Sequence, residues 1–250
     1  MPATVTLDVV GWLGELQTDL DAALADLLQI CRASGTKTYA ETVSEHQVGI
    51  ATVILENADG LGETAPERAA RNCFLNAIGK FISFLDKLIA NQRMVTDGVV
   101  ITRTLVGEEE VKAYVNEYLG DQITKVARDR SLSNPKKMAC FQVTDLVQTT
   151  ALAYFELRRT LEHHQDTPQQ DLEVPIMRIA FFADDKEIVE IPAVLQPGQG
   201  MEMRTLIDRN IYQAGKKIIL TPEVAQGLVF TLRNVLAPEV FQASVASDKP

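Results

Sequence analysis

Apolar residues recur at helical spacing along the first two thirds of the chain and at strand-like spacing beyond it. Leu13, Leu16, Leu20, Leu24, Leu27 and Cys31 are separated by 3, 4, 4, 3 and 4 positions, which places them on one face of a helix. Glu15, Asp19 and Asp26 lie off that stripe, and Ser34-Gly35 supplies a stop suited to the residue after a helix. A 3-4 repeat of this kind seats in a core or in a seam against a partner helix. Residues 38–58 carry two signals. Tyr39, Val43, His46, Ile50, Val53 and Asn57 keep a helical period, while Val48 to Leu55 is β-branched enough for a strand. The longer period favours a helix.

Thr64 and Glu67 form a capping-box pair, and Pro66 suits a first helical turn. From Phe74 to Ile89 apolar side chains cover most of the circumference, and Asn76, Lys80, Ser83 and Lys87 leave a narrow polar stripe. A helix of about 25 residues that is this apolar is contacted on several sides and forms the hub of a core. Asp97-Gly98 marks a turn, and Val99 to Val106 reads as one strand. Glu108 to Arg130 reads as a surface helix with Val111, Val115, Leu119, Ile123 and Val126 inward and three acids at its positive end. Asn134 as cap and Pro135 as first residue open another helix, expected to reach His164.

Asp166 to Pro175 is polar and proline-bearing, and is the best linker in the chain. Beyond it, Ile176–Ala183 and Lys186–Pro192 flank Asp184-Asp185 as a hairpin, Pro197–Gly200 is a loop, and Lys216–Leu220 reads as a further strand. A last helix opens at Thr221-Pro222-Glu223 and is expected to end at Leu236, before Ala237-Pro238. The fold class is mainly α with a smaller α+β part. A multi-helix bundle over 1–166 precedes a small unit of β-hairpin, strand and helix over 167–250, either separate or packed on the bundle as one unit.

Composition adds limits. The chain has 250 residues, 46% of them apolar and 23% charged, close to the averages of globular proteins. No run reaches the roughly 18–20 apolar residues that span a bilayer. Met1-Pro2-Ala3-Thr4 carries no basic side chain and no signal-type block. A soluble, cytoplasmic protein without membrane insertion is expected. Cys31, Cys73 and Cys140 are far apart, form no Cys-x-x-Cys, and fall at apolar positions of helical patterns, so a buried structural role is expected for each.

The net charge is -10, which argues against general binding of nucleic acid without excluding a local site. The charge is uneven. Residues 1–60 hold two basic and nine acidic side chains, whereas residues 61–166 hold fourteen of each. Against this background Arg128, Arg130, Lys136 and Lys137 cluster within ten residues, an anion- or partner-binding candidate. Glu15, Asp19 and Asp26 form an acidic face of opposite sign, a candidate for the matching contact.

Other motifs are weaker. Gly60-Leu61-Gly62-Glu63-Thr64-Ala65 matches G-x-G-x-x-A, but Glu63 places an anion where phosphate would sit. The segment reads as a turn ahead of a capped helix. His163 and His164 are adjacent and point about 100° apart on a helix, unlike the i, i+3 or i+4 spacing of metal ligands. Pro197–Met201 lacks the Lys-Ser/Thr ending of a phosphate loop. No catalytic residue, metal or cofactor is expected. The function expected is that of a non-enzymatic interaction or assembly protein, self-associating as a homo-oligomer through amphipathic helices or binding another protein. Two alternatives remain open. One is an enzyme with a non-local acid-base site, drawing on carboxylates such as Asp145, Glu156 and Asp208. The other is an accessory protein that binds an anion or nucleic acid at 128–137.

Overall fold

The computed structural model describes residues 7–34, 64–102, 104–183, 186–188 and 202–246. The expectations for 38–58, for Gly60–Glu63, for Asp184-Asp185 and for Pro197–Met201 lie outside these residues. The fold is mainly α, with one small antiparallel sheet.

Helix α1 (Val9–Ala33) starts at Asp8, whose carboxylate accepts the Gly11 N–H at 2.8 Å. Its stripe is inward as the spacing requires: Leu16, Leu20, Ala23, Leu27 and Cys31 are buried. It packs along α2 (Ala65–Asp97). The capping box forms, with the Thr64 N–H donating to Glu67 Oε2 at 2.6 Å and the Glu67 N–H to Thr64 Oγ1 at 3.3 Å. Helix α2 runs for 33 residues, longer than its apolar pattern indicates. It ends at Gly98, whose φ of 76° is the left-handed conformation that glycine adopts without steric cost. As expected of a hub, it meets α1 and most of the later helices.

The described residues of 99–106 form no strand, although the β-branched character of the run predicts one. Strand formation needs a neighbour to pair with, and none of the described residues supplies it. The segment is instead held by its own helix. The Tyr114 hydroxyl donates to the Val100 carbonyl at 2.8 Å, and the Val106 N–H donates to Glu110 Oε2 at 2.7 Å. Helix α3 (Glu108–Arg128) follows, burying only Leu119 and Val126 fully.

The single helix expected from Asn134 to His164 is two helices. A short α4 (Asn134–Met138) is followed by α5 (Asp145–His163). Met138 and Phe141 are both buried around the corner between them, and Thr144 starts the new helix by accepting the Val147 N–H at 3.4 Å. Phe141 is buried and Val143 half-buried against the core, and both lie in the connection rather than in one helix.

The presumed linker is largely pinned. Asp166 and Pro168 are buried, and Arg71 of α2 holds Asp166 at 2.7 Å. Strand β1 (Leu172–Ala183) begins soon after, with β2 (Lys186–Ile188) on one side and β3 (Glu202–Tyr212) on the other, all antiparallel. The register sets Val174 opposite Asn210 and Ile176 opposite Asp208. Lys216–Leu220 is not a strand. It lies against the core as irregular chain, with Ile218 and Leu220 buried, Ile219 exposed and the Ile218 N–H donating to the Asp166 carbonyl.

Helix α6 (Pro222–Thr231) does not stop before Pro238. It passes through a π-helical segment, Leu232–Leu236, into α7 (Ala237–Ala246). A proline lacks the N–H of the ordinary helical ladder, and a wider π turn lets the helix continue past it. Buried residues from Leu16 of α1 to Val240 of α7 belong to one contiguous hydrophobic core. No described helix is long and apolar enough to cross a membrane.

Candidate functional site

A concave region lined by charged residues lies where α2, the end of α3, α4 and α5 meet. It is a cleft of about 650 Å³. Its floor is an ion pair: Lys137 Nζ lies 2.6 Å from Asp86 Oδ1, with side-chain exposures of 6% and 7%. Asp86 interrupts the apolar run of α2 and points into the bundle. Lys137 reaches it because Pro135 and the start of α4 turn the chain back onto α2. Burial pushes the Asp86 carboxyl above its ordinary range, and the neighbouring ammonium only partly offsets this.

The α5 wall is lined by Glu156, Arg158, Arg159, Glu162 and His163. These charges pair among themselves. Arg158 Nε lies 3.0 Å from both Glu162 oxygens, and Arg159 reaches Glu156 at 2.7 Å. The His163 side chain is 70% exposed and stands 3.8 Å from Glu162. Leu152 and Phe155 add apolar surface. The cleft thus offers paired charges and a modest apolar wall.

The basic candidates separate in the structure. Lys137 is buried in its ion pair. Arg128, Arg130 and Lys136 are exposed, and Lys136 donates to the Ser131 carbonyl at 2.9 Å. The acidic face also divides. Glu15 reaches Lys87 at 2.8 Å and Asp19 reaches Lys80 at 3.1 Å, so the polar stripe of α2 meets α1. Asp26 is exposed. Of the scattered carboxylates, Glu156 lines the cleft, Asp145 lies eleven positions earlier at the start of α5, about 16 Å along the helix, and Asp208 is on β3.

Cys31 and Cys73 are buried as expected, and burial raises both thiols, Cys73 to about 12. Cys140 departs from the expectation and is exposed, because the corner after α4 leaves its position outside the core. Among the described residues no group of three or more His, Cys, Asp or Glu side chains is placed to hold a metal ion.

Two arrangements have no clear signal in the sequence. The first is a polar clasp on β1. The Tyr154 hydroxyl donates to the Pro175 carbonyl at 2.9 Å, and Thr231 Oγ1 accepts the Met177 N–H at 2.9 Å. Both side chains are buried, and they join α5 and α6 to the strand. The second is exposed apolar surface. Val95, Val100, Ile101 and Val106 are 61%, 62%, 58% and 79% exposed within one stretch of chain. The β-branched run marked this stretch, but as a strand.

No family model matches the chain, and neither a curated protein nor a solved structure matches it.

Proposed function

We propose that this chain is a non-enzymatic interaction or assembly protein that associates with itself. The observation that carries the reading is the exposed apolar stretch from Val95 to Val106. Large apolar side chains gathered in one stretch mark surface that a protein partner covers. The apolar faces of α1 and α2 meet each other inside the molecule, so the apolar surface offered for association is the end of α2 and the chain that follows it. Charge assists the contact, because Asp26 on one side and Arg128, Arg130 and Lys136 on another remain exposed with opposite sign. Size-exclusion chromatography with light scattering tests the reading. A mass that is a multiple of 27.6 kDa is expected, and a strict monomer at high concentration and low salt overturns it.

A second reading is favoured by the cleft. Its titratable lining suits a small polar ligand, with Lys137 and Asp86 beneath it and Glu156 in its wall. Thermal melting against small anions and small carboxylic acids tests this. A stabilisation lost in Arg159→Ala supports a ligand site, and no shift with any of them removes it.

A further inference from the structure

Strand β3 is an outer strand of the described sheet, and the clasp on β1 shows which of its backbone groups face outward. The Pro175 carbonyl and the Met177 N–H turn to Tyr154 and Thr231, away from β3. In an antiparallel ladder the N–H and C=O of one residue point to the same side, and the sides alternate along the strand. The bonds between β1 and β3 are therefore made at Val174, Ile176 and the positions in step with them, opposite Asn210 and Asp208. The backbone groups of Thr205, Ile207, Arg209 and Ile211 then point out from the sheet. No described backbone group bonds to them. Ile207 and Ile211 are 42% and 63% exposed. A strand edge in this state is a template for another strand.

The charges of β3 restrict what can pair with it. Consider a second copy of β3 laid antiparallel on this edge about a two-fold axis. An axis at Arg204, Asp208 or Arg209 sets each of these against its own copy. An axis at Thr205 sets Glu202 against Asp208. An axis at Ile207 leaves every charge opposite a neutral residue. An axis at Leu206 overlaps residues 202–210 and sets Arg204 opposite Asp208 of the second copy, twice by symmetry. Opposite charges facing each other across strands stabilise a pair, and like charges destabilise it. Arg204 already stands 4.6 Å over the Phe182 ring and 2.6 Å from Glu202, and its guanidinium has five donors to share.

We propose that two copies of this chain join edge to edge through β3, antiparallel about a two-fold axis at Leu206. This rests on the self-association reading above and adds to the Val95–Val106 stretch a second surface, the β3 edge, that sets the geometry of the pair. The outward backbone groups of Thr205 and Ile207 pair with those of Ile207 and Thr205 in the second copy. The Arg204–Asp208 pairs set the register.

The test is a charge complementation with the full chain, read by light scattering at low salt. Wild type is expected at twice 27.6 kDa. Arg204→Asp sets acid against acid, and Asp208→Arg sets base against base. Each variant alone is expected to weaken dimerisation by about tenfold or more. Mixed in equal amounts they restore opposite charges at both positions, and dimer returns. Ile207→Pro, which removes one outward donor without touching the bonds to β1, is also expected to weaken the dimer. Hydrogen exchange on the wild type needs no variant, and the Ile207 and Arg209 amides gain protection as protein concentration rises. A wild-type monomer overturns both the self-association reading and this contact. A wild-type dimer that all three variants leave intact, or whose two amides stay unprotected, overturns the β3 contact alone. Weakened single variants with no recovery on mixing overturn the Leu206 register.

Discussion

Asp86 and Lys137 form a buried ion pair with 2.6 Å between carboxylate and ammonium, and each side chain is more than nine-tenths covered. Such a pair joins α4 to the central helix and is sensitive to losing either member. Lys137→Ala leaves a buried carboxylate alone and is expected to cost about 3–5 kcal/mol in urea unfolding. Replacing both, as Asp86→Leu with Lys137→Met, is expected to cost much less, because no unpaired charge remains. Equal losses in the single and double variants would show that the two residues do not act as a pair.

The same carboxyl has a pH signature. Burial raises the folded-state pKa of Asp86 above its unfolded value, so the native state holds the proton over a pH range where the unfolded chain has released it. The resulting stability is fully present below the unfolded pKa and is lost as pH rises through the folded value. Asp86→Asn removes this dependence. Its stability relative to wild type should rise with pH across the acidic range, measured by denaturant unfolding at a series of pH values.

The three thiols should react in two classes. Cys140 is exposed and is expected to react at once with an aromatic disulfide reagent. Cys31 and Cys73 are buried, and the Cys73 thiol is 3.3 Å from the Ala23 carbonyl. They should react only as fast as the protein opens. Cys140→Ser then abolishes the fast phase and leaves the slow one. Because burial raises Cys73 to about 12 from 9.0, its proton is kept longer in the folded state, and stability from this group declines as pH climbs through that interval.

Two helical glycines should respond oppositely to alanine. A Cβ on Gly227 would overlap Cγ2 of Ile176, a buried and branched side chain on β1. Gly227→Ala is expected to cost about 1–3 kcal/mol through overpacking between α6 and the sheet. Gly79 in α2 has nothing within 4 Å of its would-be Cβ. Gly79→Ala should stabilise by roughly 0.5–1 kcal/mol through helix propensity alone. Thermal melts of the two variants decide the matter.

At the exit of α5, Gln165 and Asp166 have φ of 52° and 61°. The left-handed conformation costs an ordinary residue roughly 1–2 kcal/mol, and here Arg71 holds Asp166 in place. Gln165 is exposed, so Gln165→Gly should stabilise by about 0.5–1 kcal/mol net of glycine's larger unfolded-state entropy. Arg71→Ala should destabilise. A gain from Gln165→Gly that vanishes in the Arg71→Ala background would show that the clamp sustains the strain.

Local signals in the sequence translated well into local structure. The α1 stripe is inward, Thr64 and Glu67 cap α2, and a helix opens at Asn134-Pro135, though with Ser133 rather than Asn134 at the cap position, because each depends on neighbours a few positions apart. What failed depends on distant partners. Val99–Val106 has strand character, and among the described residues no strand lies beside it. Strand β3 has adjacent Leu206 and Ile207 amid Arg204, Asp208 and Arg209, so it shows no clean alternation, and only its partner β1 defines it. Pro238 is a strong stop signal that a π turn overrides. At the candidate cleft, Lys137 was visible as one of four basic residues. Its burial was not, because that follows from Asp86, a residue fifty-one positions earlier on another helix.

The clasp on β1 has a consequence for how far strand pairing can spread. Tyr154 and Thr231 occupy one edge of β1 near its start, and β2 occupies the same edge near its end. Among the described residues the sheet therefore has one long edge without a strand beside it, that of β3. Pairing two such edges uses up both, and growth along the sheet stops there instead of running on into a fibril. An assembly larger than two copies would have to grow from a different surface, and among the described residues the apolar stretch from Val95 to Val106 is a candidate for it.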